Sequence, residues 1–246
     1  MDKTQYIKEF NDLFALNIDG SGAAPEGLGE EFYKLGEMLK EANKIHNLTA
    51  IKEDKEIILK HFIDSLMISE YIPNGTGVID VGCGAGFPSL PLAIFRQDIS
   101  LLSIDSTAKK INYVNQTAKA LGLENIQALA CRAEELGHQN GYRESFDVAT
   151  ARAVAALPIL TELCLPFVKL GGRFVAMKSQ SAEDELKLAA SAIEKCGGKV
   201  VDVVEKKLVR NDLPEADSRT IIIIEKTKAT PSSYPRIYSK ISKKPL

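Results

Sequence analysis

Chemistry is concentrated around three glycines at every second position, Gly82, Gly84 and Gly86, which follow a short apolar run (Val78, Ile79, Val81) carrying one carboxylate, Asp80. Phe87-Pro88 and a second apolar segment come directly behind. The pattern is strand, glycine loop, helix: glycine gives the backbone unusual dihedrals and lets a flat ligand approach without meeting a Cβ. Asp105 closes the next apolar run, where an acidic side chain can accept hydrogen bonds from ribose hydroxyls. Ala133-Glu134 follows the third such run and can frame an adenine, backbone on the ring nitrogens and carboxylate on the exocyclic amine.

Two cofactor classes compete for this loop, dinucleotides and S-adenosylmethionine. A dinucleotide site asks for G-x-G-x-x-G, and counting from Gly82 puts Phe87 where the third glycine belongs. Pro88 removes an N–H where a pyrophosphate needs helix N-terminal donors, and Asp80 would repel phosphates. A cationic sulfonium with an amino-acid tail tolerates both, so S-adenosylmethionine is the expected cofactor. Asp80, Gly82, Gly84, Gly86 and Asp105 are its expected neighbours.

The acceptor is read at the fourth strand end, Thr150-Ala151-Arg152-Ala153. Methylation of exocyclic base amines commonly places an Asn or Asp, prolines and an aromatic here, and none is present. Carbon-5 methylation of pyrimidines needs a thiolate; Cys83 lies inside the glycine loop and Cys164 falls mid-helix. The remaining class is an acceptor with a free lone pair, such as guanine N7, for which catalysis is orientation and proximity. Arg152 is the candidate orienting residue, bonding either the guanine acceptor edge or the cofactor carboxylate.

The elements that must position these residues alternate. Candidate strands cover 77 to 81, 100 to 104, 126 to 130, 146 to 150, 172 to 178, 200 to 209 and 219 to 226; candidate helices cover 88 to 96, 107 to 121, 156 to 168 and 182 to 196. Such alternation predicts an α/β fold of Rossmann-like type, a seven-stranded, mostly parallel sheet ending in an antiparallel hairpin. Before it, helical periodicity over 2 to 16, 30 to 45 and 54 to 71 predicts a helical cap. Three parts are expected: a cap over 1–72, a methyltransferase core over 73–228 and a basic tail over 229–246.

The chain has 246 residues, 31 Lys and Arg against 33 Asp and Glu, and four scattered cysteines without metal-ligand spacing. These features predict reduced thiols, no zinc site, no membrane span and a cytoplasmic location. Charge is uneven: from Lys226 onward there are Lys226, Lys228, Arg236, Lys240, Lys243 and Lys244 and no acid. Such a tail can serve as an arm that contacts phosphates.

Taken together, N-K-I-H-N-L-T-A-I at 43 to 51, H-F-I-D-S-L at 61 to 66, D-V-G-C-G-A-G-F-P at 80 to 88, Lys109-Lys110, R-A-E-E at 132 to 135, A-R-A-V-A at 151 to 155 and Y-P-R at 234 to 236 resemble the RsmG (GidB) family over nearly the whole chain. The resemblance implies a class I S-adenosylmethionine-dependent methyltransferase acting on guanine N7 in bacterial 16S rRNA, at guanine 527, in a 30S subunit or an assembly particle. It also implies cofactor contacts at Gly82, Phe87, Ala133, Glu134 and Arg152. RNA-facing cations are implied at Lys109, Lys110, Arg132, Lys178 and Arg236, with Asn47, His61 and Asp64 in the cap facing the same cleft. Cys83, Ser89 and Asp105 stand where the family more often has serine, glycine and glutamate. A methyltransferase for a protein or small molecule, and a non-catalytic RNA-binding module on this fold, are the alternative readings.

Overall fold

The computed structural model describes residues 1–18, 22–152, 155–178, 182–212 and 216–246. Two long helices come first. α1 (Lys3–Asn17) starts at Asp2, whose carboxylate accepts from the Gln5 amide while the Gln5 side chain returns the bond, and it buries Tyr6, Phe10, Leu13 and Phe14. α2 (Leu28–His46) ends at Asn47, which takes a left-handed conformation, φ 48°. α1 and α2 pack through stacked Phe10 and Phe32 rings, 4.4 Å between centroids.

The third cap segment, expected as one helix over 54 to 71, is built from four short pieces. They are α3 (Asp54–Ile57), a π-helical turn (Ile58–Ile63), α4 (Asp64–Leu66) and a 3₁₀ turn (Ser69–Tyr71). A π turn inserts one residue per turn and shifts the helical face, a feature often found at functional sites. His61 sits within it.

Beyond the cap run β1 (Gly77–Val81), α5 (Ser89–Phe95), β2 (Ser100–Asp105), α6 (Ala108–Ala120), β3 (Ile126–Ala130), α7 (Ala133–Leu136), β4 (Phe146–Arg152), α8 (Leu157–Cys164), β5 (Val168–Lys178), α9 (Ala182–Lys195), β6 (Gly198–Leu208), β7 (Asp217–Lys226) and α10 (Tyr238–Lys243). The seven strands lie in the order β3-β2-β1-β4-β5-β7-β6. The first five pair in parallel, and β7 pairs antiparallel to both β5 and β6. The expected mostly parallel sheet with its terminal hairpin is therefore observed. Strand order reverses between β1 and β4, so the crevice outside their carboxyl ends is where a ligand is expected.

Apolar residues divide between the two sheet faces. Phe10, Phe32, Leu35 and Phe62 of the cap join Leu90 of α5 and Val114 of α6 in one continuous cluster, so the cap is packed into one face of the sheet. The other face is covered by Leu157 and Leu160 of α8, Ile193 of α9 and Ile241 of α10.

Sequence reading missed α7 and α10. The tail, expected as a basic arm, is docked: Arg236 forms a two-pronged ion pair with fully buried Glu162, and Ile241 is buried. Lys226, counted among the arm's cations, is also fully buried, donating to the carbonyls of Leu165 and Val168 and to Thr230 Oγ1, with Glu144 3.0 Å away.

Candidate functional site

A cavity of about 630 Å³ opens at the carboxyl ends of β1, β2, β4 and β5. The glycine loop forms its floor. Gly82, Gly84 and Gly86 all have positive φ (77°, 58° and 87°), as the sequence leads one to expect. At Gly86 a Cβ would also lie 2.6 Å from Leu90 Cδ1, whereas at Gly84 nothing in the protein stands within 4 Å of that position. Gly86 closes α5 against the loop; Gly84 leaves open space for a ligand. The amides of Gly82 and Cys83 donate to the Ile104 carbonyl, fixing the loop to β2.

Asp105 lies opposite. Its Oδ2 accepts from the Gly84 amide at 3.1 Å and its Oδ1 from the Thr107 amide at 2.7 Å. Each oxygen keeps a lone pair, so the carboxylate is oriented and still able to accept from a ligand hydroxyl. A cradle that a Cβ would fill, beside a held carboxylate, fits the ribose and sulfonium portion of S-adenosylmethionine.

Asp80 needs a correction. Its expected place beside the cofactor is ruled out as a direct contact: it is fully buried beneath the loop, Oδ2 accepts from the Ser89 hydroxyl, and Oδ1 has no partner among the described residues. Burial pushes its carboxyl up to about 7, against the opposing bond from Ser89. Its role is to hold β1 to α5.

Arg152 forms the inner wall. Its Nη1 donates to the Lys60 carbonyl at 2.9 Å and to Asp64 Oδ2 at 3.2 Å, and its Nη2 faces His61 Nδ1 at 3.4 Å. A guanidinium has only donors, so Nδ1 is the acceptor and Nε2 carries the proton, donated to Thr49 Oγ1 at 2.8 Å. Burial, reinforced by the Arg152 charge, lowers the His61 pKa to about 3. His61 also stacks on Phe87, 4.5 Å between centroids and 3° between planes. Asp64 bridges two arginines, its Oδ1 accepting from Arg219 Nε at 2.7 Å. Asn43 pins Thr49 from both sides, donating to its carbonyl at 3.0 Å and accepting from its amide at 2.9 Å.

The structure thus brings Gly82, Gly84, Phe87, Asp105, Lys110, Arg152 and Lys178 to one cavity, with His61 and Asp64 of the cap. Lys178 is engaged by Glu185 at 2.7 Å and by the Ala155 carbonyl. Lys109, Arg132, Ala133 and Glu134 stand outside the lining, at the neighbouring ends of β2 and β3. Asn47 is exposed at the end of α2. Arg236 stands outside the lining and is bound to buried Glu162. Ala153, expected at the acceptor end, lies outside the described residues.

Sequence reading missed Lys60, Thr49 and Arg219 in the lining, whereas Met177 stands at the end of β5, where a ligand is expected. Arg219 reaches the cavity only because β7 inserts beside β5, a placement that no local pattern encodes. Among the described residues there is no metal-ligating cluster, and no helix is long and apolar enough to cross a membrane.

Known proteins with this fold and sequence are consistent with the geometry. The crystal structure of the YcgJ protein from Bacillus subtilis aligns with TM-score 0.51 at 14% identity, covering 68% of this chain and 98% of that one. That of M. jannaschii TYW2 in complex with AdoMet aligns with TM-score 0.52 at 17% identity, covering 67% and 76%. Both share the fold. At the level of sequence, the ribosomal RNA small subunit methyltransferase G of Acetivibrio thermocellus is 43% identical over 95% of this chain and 97% of its own length. Its counterpart from Desulforamulus reducens is 44% identical over 88% of each. The family model described as GidB, rRNA small subunit methyltransferase G, matches residues 29–213, from the start of α2 through the connection into β7. Nearly all of α2, the π turn, the glycine loop and Arg152 fall inside that span, and the chain belongs to the rRNA small subunit methyltransferase G (GidB) family.

Proposed function

We propose that this protein transfers a methyl group from S-adenosylmethionine to N7 of a guanine in 16S ribosomal RNA, presented in the small subunit or an assembling particle. The observation that carries the acceptor assignment is that, apart from Asp105, which the cofactor ribose engages, the cavity offers orientation without a free proton acceptor. His61 is a weak base, its Nε2 proton is held by Thr49, and its Nδ1 faces a cation. Cys83 Sγ donates to the Gly84 carbonyl, and burial pushes its thiol well above the usual range. Asp64 is bound between two arginines. A lone-pair acceptor needs none of these groups to take a proton.

S-adenosylmethionine, when bound, supplies a methyl group already activated on a sulfonium. The residues of this chain hold and orient. Asp105 accepts from the ribose hydroxyls, the open space at Gly84 admits the ligand against the backbone, and Ala133-Glu134 at the next strand end meets the adenine. Arg152 is locked in one geometry by Lys60, Asp64 and His61, so its remaining N–H groups are pre-oriented donors. Lys110, beside the cavity, meets RNA phosphate.

The test is incubation of the purified protein with small subunits or 16S RNA and S-adenosylmethionine carrying an isotopically labelled methyl group, followed by nucleoside mass analysis. Label in N7-methylguanosine is expected. Label in another nucleoside, or none in RNA, would overturn the assignment.

A further inference from the structure

The cap and the C-terminal region treat their cations differently. In the cap every lysine but Lys52 stands within ion-pair distance of a carboxylate: Lys3, Lys8, Lys34, Lys40, Lys44, Lys55 and Lys60. Lys240, Lys243 and Lys244 of the tail, together with Arg132, have no carboxylate partner among the described residues, and all four are exposed. On α10, Lys240 and Lys243 lie one turn apart, on the side away from buried Ile241.

This segment is held firmly. The Arg143 guanidinium donates to the carbonyls of Gly137, Tyr234, Thr230 and Pro231, and His138 Nε2 bonds the Pro235 carbonyl at 2.7 Å. Arg236 pairs with buried Glu162, and Ile241 enters the core of the second sheet face. Fixing unpaired cations at defined positions raises their mutual repulsion, which a polyanion relieves.

Their location connects them with the cleft. The Arg132 guanidinium lies 5.9 Å over the ring of Tyr238, so α10 abuts the carboxyl end of β3. β3 pairs with β2 through Asp105 and Ala130, and the residues after Asp105 lead to Lys109 and to Lys110 at the cavity. Unpaired cations therefore run from the cavity wall across two strand ends to the tail. Tyr238, itself partly exposed, adds an aromatic face at the junction.

We propose that the docked C-terminal helix is part of the RNA-binding surface, holding phosphates of the strand whose base enters the cleft through Lys240, Lys243 and Lys244, with Arg132 joining helix to cleft. This rests on the RNA methyltransferase reading above and adds an interaction site outside the cavity. The test compares wild type with a Lys240→Gln/Lys243→Gln/Lys244→Gln variant, measuring affinity for a 16S RNA transcript across KCl concentrations. Loss of three phosphate contacts should reduce the slope of log K against log salt by about 2 and weaken binding at least tenfold near physiological salt. Melting temperature and S-adenosylmethionine affinity should stay at wild-type values, because these side chains touch neither core nor cavity. An unchanged slope and affinity, with the wild type still methylating RNA, would overturn the tail assignment alone. A wild type that neither binds nor methylates RNA would overturn the functional reading and this inference together.

Discussion

Replacing Arg152 by alanine should damage stability as well as turnover. The sequence alone presents Arg152 as a cleft cation without a structural pair, for which turnover would fall far more than stability. In the structure its guanidinium holds the Lys60 carbonyl, Asp64 and His61 and lies 5.4 Å over the Phe87 ring. Arg152→Ala takes a donor from the Lys60 carbonyl and from an imidazole nitrogen and removes one of the two cations neutralising Asp64, which is 9% exposed. Breaking a buried ion pair costs roughly 3 to 5 kcal/mol, and because Arg219 still pairs with Asp64 the expected loss is about 2 to 4 kcal/mol. For a chain of this size that is a fall of roughly 5 to 15 °C in melting temperature. Thermal melting without ligand reads it directly. A double-mutant cycle with Asp64→Asn sharpens the result: the two losses should be sub-additive, coupled by more than about 1 kcal/mol. A melting temperature within about 2 °C of wild type, or strict additivity, would refute the assignment of Arg152 to a buried network.

Asp105→Ala should weaken S-adenosylmethionine binding by roughly 1 to 3 kcal/mol, read by calorimetry, through loss of a charge-assisted bond. Thr49→Val removes the acceptor for His61 Nε2 and should lower turnover while Thr49→Ser restores it; equal activity of Val and Ser variants would dismiss the Thr49–His61 contact. The folded-state pKa of His61, about 3, lies below its unfolded value of about 6.5, so the unfolded chain binds the extra proton first. His61 thus contributes stability that is complete above about pH 6.5 and is lost at about 1.4 kcal/mol per pH unit as pH falls toward 3. His61→Gln should flatten the denaturant-derived stability profile over that range. Asp80 has the opposite sign, since its carboxyl is raised to about 7. Its protonated form is favoured in the fold, and stability falls as pH rises from about 4 to 7, so Asp80→Asn should gain on wild type progressively across that interval.

How far the sequence could be read depended on the range of the interactions involved. β3 occupies 126 to 130 as the pattern of apolar residues and turns predicts, and β1 occupies 77 to 81. Both are specified by neighbours within a few residues. α7 was missed because four residues show no helical period. α10 was missed because a Lys- and Ser-rich stretch reads as solvated until Glu162, far upstream, supplies a buried charge for Arg236. At the site, Gly84 and Asp105 were legible because a glycine and a strand-end carboxylate are local signatures. The burial of Asp80 was not, since one face of β1 looks like the other until helices cover it.

What the sequence determined by itself is the loop and the class of ligand it admits: three glycines at alternate positions, all taking the left-handed region, followed by Phe87-Pro88 where a pyrophosphate would need another glycine and a free N–H. These are properties of backbone dihedrals and missing atoms, fixed within a few residues. Tertiary structure alone decided the inner wall. Arg152, His61, Asp64 and Arg219 come from β4, the π turn, α4 and β7, up to 158 positions apart. Which cation lines the cavity and which carboxylate is buried out of reach follow from that packing, because charge pairing in a low-dielectric interior acts through space and leaves no periodic trace along the chain.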